Sequence, residues 1–174
     1  MLLKVVIMSL YHALLDQAQA LIPERYPGPP AQVAEAVEAY GRPDLPGLLS
    51  DKILLSRLIQ QGLPVAIFRA VEARLPYSEA EWAALLNISL KTLQRYKAAS
   101  DFRFKPLLAE KILELAALMV LGETTFNDSA TFQRWLTAPN TALGGRAPSE
   151  FVQDSFGQEL VRAELIRIEH GLFS

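Results

Sequence analysis

From Ser50 onward, glycine and proline cut the sequence into pieces of helix length, and no piece alternates apolar and polar residues as a half-buried strand would. This punctuation constrains the fold more than any other feature. Asp51–Gln61 keeps Leu58 and Ile59 on one face and meets a stop at Gly62. Pro64–Leu75 carries Ile67, Phe68 and Val71 before Pro76 breaks it. Ser78, with Glu81 three residues on, has the spacing of a capping box. Lys105-Pro106 opens a long helix through Leu121, with Gly122 read as its end. Helices are predicted again over Ser129–Thr137, Pro148–Ser155 and Gly157–Gly171, the last with Leu160, Val161, Leu165 and Ile168 facing inward. The predicted class is all-α.

The first fifty residues differ in texture. Six prolines punctuate them, and only AQVAEAVEAYG between Ala31 and Gly41 has helical spacing. The sequence therefore divides into an extension with one short helix (1–50), a helical domain (51–125) and a smaller helical domain (126–174). Apolar residues make up 51% and charged residues 21%, enough for a packed core. There is no cysteine, which excludes disulfides and cysteine-based metal sites or nucleophiles. The apolar stretch at the N-terminus is too short to span a bilayer and no small-residue cleavage site follows it. A cytoplasmic protein without membrane attachment is expected.

The net charge of −2 argues at first against nucleic acid, but its distribution matters more. Every basic residue of the segment 78–105 falls between Asn87 and Lys105, where Asp101 is the only acid. The segment 106–174 is acidic, with five basic and nine acidic side chains. The cationic stretch coincides with Glu79–Lys97, which has the grammar of a helix-turn-helix. Trp82, Leu86, Ile88, Leu93 and Tyr96 occupy the slots that lock two crossing helices. Ala83 supplies the small residue at their close contact, and Asn87 tolerates the positive φ that the turn needs. Ser89 caps the second helix. That helix would present Leu90, Lys91, Thr92, Gln94 and Arg95 outward. Lys91 and Arg95 suit guanine, and Gln94 suits adenine. Lys97, Arg103 and Lys105 are placed for phosphates, which give affinity without sequence choice. A single motif covers a half-site, so a homodimer on operator DNA is expected.

The C-terminal fifty residues carry a more specific signal. It consists of Trp135-Leu136, Pro139-Asn140, Leu143-Gly144-Gly145, Pro148, Phe156-Gly157 and the closing IRIEHG run through Gly171. In this order the string, from Phe126 to Ser174, resembles the toxin-binding domain of the MbcA/ParS/Xre antitoxins. The stretch from about Leu54 to Thr125, with KTLQRYK, resembles the Xre-type helix-turn-helix domain that precedes it in that family. The resemblance implies a type II antitoxin that neutralises a RES-domain toxin, an enzyme that consumes NAD⁺ or transfers its ADP-ribose. It also implies a homodimer that represses its own operon. A pocket for the NAD⁺ pyrophosphate is expected to hold cationic groups. The family's mode suggests that the C-terminal end covers that pocket. Here His170, Gly171, Leu172, Phe173 and Ser174 form that end, with Phe173 for an apolar niche and the Ser174 carboxylate for a toxin arginine. Arg134, Arg162 and Arg167 are candidate ion-pair partners around the rim.

Catalysis by this chain is not expected. His12 and His170 are the only histidines and lack metal-ligand spacing. Neither a phosphate loop nor a nucleophile elbow is present. No cofactor is expected. The competing reading is a stand-alone helix-turn-helix regulator whose C-terminal domain senses a ligand.

Overall fold

The computed structural model describes residues 52–171. The expected helix within residues 1–50 and the terminal Leu172, Phe173 and Ser174 lie outside the described residues. Seven α-helices follow one another: α1 (Lys52–Gln61), α2 (Val65–Glu72), α3 (Glu79–Leu85), α4 (Leu90–Ala98), α5 (Pro106–Phe126), α6 (Ser129–Thr137) and α7 (Ser155–Glu169). The all-α class holds. Two 3₁₀ turns, Thr141–Leu143 and Pro148–Glu150, link α6 to α7. Among the described residues no helix is long and apolar enough to cross a membrane.

A small exception to the helical reading is the antiparallel pair of β1 (Leu63–Pro64) and β2 (Arg103–Phe104), with Leu63 opposite Phe104. Two residues per strand are too few to show alternation in sequence. The pair ties the α1–α2 junction to the entry of α5. Pro64, expected inside a helix, is instead the extended residue that precedes α2.

The core lies around α5. Ile112, Leu115, Ala116 and Met119 are fully or almost fully enclosed, and the helix touches α1, α2, α6 and α7. Most of its apolar positions are thus used within the chain, while Leu107 in the first turn is 80% exposed. Gly122 does not end this helix. It is buried inside it, and a Cβ there would lie 2.1 Å from Phe132 Cε2 on α6. The glycine exists for close approach, and the stop falls at Asn127, which turns left-handed with φ 49°.

Two other expectations change. Pro148–Ser155 is not a helix beyond one 3₁₀ turn, because α7 begins at Ser155 with the Asp154 side chain accepting from Gly157 N. Leu160 faces outward rather than inward. The enclosed stripe of α7 is Gly157, Val161 and Leu165, and Gln158 joins it by donating from Nε2 to Val152 O at 3.0 Å.

Candidate functional site

The helix-turn-helix is built from local chemistry. Ser78 opens α3 with a complete capping box: Glu81 N donates to Ser78 Oγ at 3.3 Å, and Ser78 N donates to Glu81 Oε2 at 2.7 Å. Ser78 Oγ also donates to Glu81 Oε2 at 2.7 Å, and this bond, followed by that from Ser78 N, holds the Glu81 carboxyl below its ordinary value. Asn87 adopts φ 54° in the turn, as its residue type allows. Ser89 then caps α4, accepting from Thr92 N at 3.1 Å. Trp82, Ala83, Leu86 and Leu93 are buried between the helices, with Ile88 and Tyr96 packed at the margin. Phe68 of α2 meets the Trp82 ring edge-on at 5.2 Å, and Tyr96 stacks on Phe102 at 3.9 Å, which fixes the far end of α4.

The structure sorts the residues expected to face DNA into two groups. Leu90, Lys91 and Arg95 are exposed on α4, with the Arg95 guanidinium 5.5 Å from the Tyr96 ring centre. The others, Lys105 apart, make hydrogen bonds within the protein. Ser89 Oγ and Thr92 Oγ1 share a 2.8 Å hydrogen bond. Gln94 Nε2 donates to Glu79 Oε2 at 3.2 Å. Lys97 Nζ donates to Glu72 Oε1 at 2.8 Å and also to Glu79 Oε1, while the Lys97 carbonyl accepts from Arg69. Burial pulls the Lys97 ammonium down, but the two carboxylates outweigh it and leave its pKa raised. The Lys97 hydrogen bond, and then that from Gln94, hold Glu79 below the usual carboxylate range. Arg103 Nη1 donates to Gly62 O at 3.0 Å across the small sheet, and Lys105 is exposed just before α5. Sequence reasoning missed Glu72 and Glu79 as partners, because neither the i,i+3 nor the i,i+4 spacing links them to Lys97.

The C-terminal residues surround a different surface. Asn140 and Arg146 bridge the ends of the glycine turn, in which Gly144 and Gly145 have φ 68° and 78°. Arg146 pairs with Glu150 at 3.1 Å and covers the Phe151 ring. Gly157 is pressed onto the backbone of this segment, where a Cβ would fall 1.8 Å from Phe151 O. That contact fixes the rotation of α7 and turns the neighbouring Phe156 outward, 81% exposed, with Leu160 one turn on at 53%. Sequence reading passed over Phe156 as a surface residue, noting it only within the Phe156-Gly157 step. Arg134 is exposed and donates to Thr131 Oγ1 at 2.9 Å, Arg162 is half-buried near Glu114, and Arg167 pairs with Glu164 at 3.2 Å. His170 caps the C-terminus of α7, and Gly171 follows with φ 69°.

The two surfaces share a frame. At the end of α2, Arg74 Nη2 lies 3.6 Å from Glu123 Oε2 in the last turns of α5, both side chains buried. Burial raises the Glu123 pKa against the opposing effects of Arg74 and Ser129, and lowers that of Arg74. The Arg74 carbonyl accepts from Gln133 Nε2 of α6 at 2.7 Å.

Comparison with known proteins matches this arrangement piece by piece. Residues 54–117 match the family described as the antitoxin Xre-like helix-turn-helix domain. Residues 121–171 match the antitoxin Xre/MbcA/ParS C-terminal toxin-binding domain. The chain is 26% identical over 117 residues to "Antitoxin Xre" of Yersinia enterocolitica (serotype O:8 / biotype 1B), an alignment covering 67% of this chain and 78% of that protein. With both domains present in this order on one helical frame, the chain belongs to the Xre/MbcA/ParS antitoxin family.

Proposed function

We propose that the protein neutralises a RES-domain toxin by steric occlusion and represses its own operon as a homodimer in the cytosol. The observation that carries this reading is the pairing of a basic, outward-facing α4 with a toxin-binding domain that holds Phe156 and Leu160 in solvent. Lys91, Arg95, Phe156 and Leu160 take no part in the core of the chain. Large apolar side chains held rigidly in solvent are the form of a partner-binding surface. The toxin seats on this outward face of α7. Arg134, Arg162 and Arg167 flank the seat, and His170 to Ser174 reach the nucleotide cavity. Lys91 and Arg95 read base edges, while Lys105 contacts the phosphate backbone.

Co-expression with a RES-domain toxin tests the first half. Full-length protein should restore growth and co-purify with toxin. A chain ending at His170 should fail to restore growth, and equal rescue removes the tail from the mechanism. Phe156→Glu should lose toxin capture with its helical circular dichroism unchanged; retained capture moves the seat elsewhere. For the second half, a gel shift with DNA from upstream of the reading frame should weaken on Lys91→Ala, on Arg95→Ala and with added salt.

A further inference from the structure

The N-terminal turn of α4 has an uneven chemistry that its sequence conceals. A recognition helix uses its first residues to reach base edges. Here the hydroxyls of Ser89 and Thr92 bond to each other at 2.8 Å, and the Gln94 amide donates to Glu79. Lys97, on the same flank as Gln94, is held by Glu72 and Glu79. The hydrogen-bonding side chains on the flank facing α3, Gln94 and Lys97, are therefore engaged internally. What this flank offers outward is Leu90, the first residue of the helix, 41% exposed and outside the cluster formed around Leu93. Outside the core and partly in water, this leucine is not explained by the packing of α4.

We propose that Leu90 is a specificity-determining residue that packs against the C5-methyl of a thymine in the major groove. The major groove displays one apolar group among its edge atoms, the thymine methyl; cytosine and both purines lack it. The isobutyl group of Leu90 excludes water from that methyl, and Lys91 beside it carries the charge that draws the helix into the groove. The fixed Glu79–Gln94 contact sets the rotation of α4 and thereby the direction in which Leu90 points. This assignment rests on the DNA-binding reading above.

The test uses the full chain and a pool of random-sequence duplexes. The enriched duplex is resynthesised with each dT in turn replaced by dU, which removes the methyl and nothing else. One dT in each half-site should show binding weakened about fourfold, the value of one methyl group taken out of water. Leu90→Ala should lose a similar factor on the dT duplex and bind the dT and dU forms equally. Leu90→Met, still apolar and long, should keep the discrimination. Both variants sit on an exposed helix position, and unchanged circular dichroism checks that they fold. If dU is neutral at every position, or if Leu90→Ala still prefers dT, the proposal is overturned while DNA binding stands. If no duplex is enriched at all, the DNA-binding reading fails and the proposal with it.

Discussion

Lys97 Nζ lies 2.8 Å from Glu72 Oε1 and also contacts Glu79, so this lysine holds α4 against both α2 and α3. A cation already paired with two carboxylates releases no counterion when DNA arrives. Lys97→Met should therefore lower stability by about 1 kcal/mol and weaken DNA binding by loosening α4. The slope of log affinity against log salt should stay the same. Lys105→Ala, at the residue placed on the phosphate backbone, should by contrast reduce that slope by about 1. Binding measured across a salt series separates the two, and a reduced slope for the Lys97 variant would return it to the phosphate contacts. Gly122 makes the other residue-scale prediction. Alanine there gains helix propensity but drives its Cβ to 2.1 Å from the Phe132 ring. Overpacking of this kind costs roughly 1–3 kcal/mol, which urea denaturation should register.

At the scale of elements, α3 is seven residues long and depends on its cap. Ser78→Ala should cost about 1 kcal/mol at neutral pH. The sign of its pH dependence follows from Glu81, whose pKa is lowered in the folded chain, first by the Ser78 side chain. The stabilisation is full above the ordinary carboxylate value of 4.5 and is lost as pH falls through the lowered one. The gap between the native protein and Ser78→Ala should thus narrow in acid, as denaturation midpoints at pH 7 and pH 3 would show. The pair α3 and α4 was the most legible part of the sequence. Cap, turn residue and small contact residue all act within about ten residues, so their chemistry is written locally. The glycine at 122 was not legible, because stop and close contact use the same residue and only Phe132, ten positions away, decides between them. Leu160 was misassigned for a related reason. Hydrophobicity placed it inside, but Gly157 against Phe151 and Gln158 against Val152 set the rotation of α7. The toxin-binding string was legible as a family pattern, while the direction in which it presents Phe156 required the fold.

For the molecule as a whole, α5 is the common frame. One continuous set of buried side chains runs from Leu58 through Ile112 and Met119 to Leu165. Arg74 adds a polar tie, paired with Glu123 and receiving Gln133 at its carbonyl. The two domains should accordingly unfold together. The chain has two tryptophans, Trp82 in the helix-turn-helix and Trp135 in the C-terminal domain. Single-tryptophan variants made by Trp135→Phe and Trp82→Phe place one fluorophore in each domain. Their urea transitions should share one normalised shape once each variant's own stability change is allowed for, and each should coincide with its circular dichroism. A resolved second step in either would show independent domains. The end of the helix-turn-helix match and the start of the toxin-binding match both lie on the unbroken α5, which also bears on how such proteins diversify. Exchanging reading heads between relatives by recombination has no slack joint to cut at here. A crossover between Pro106 and Phe126 would leave each parent with half of a spindle fitted to the other half, so exchanges that succeed should be those that inherit the shaft whole.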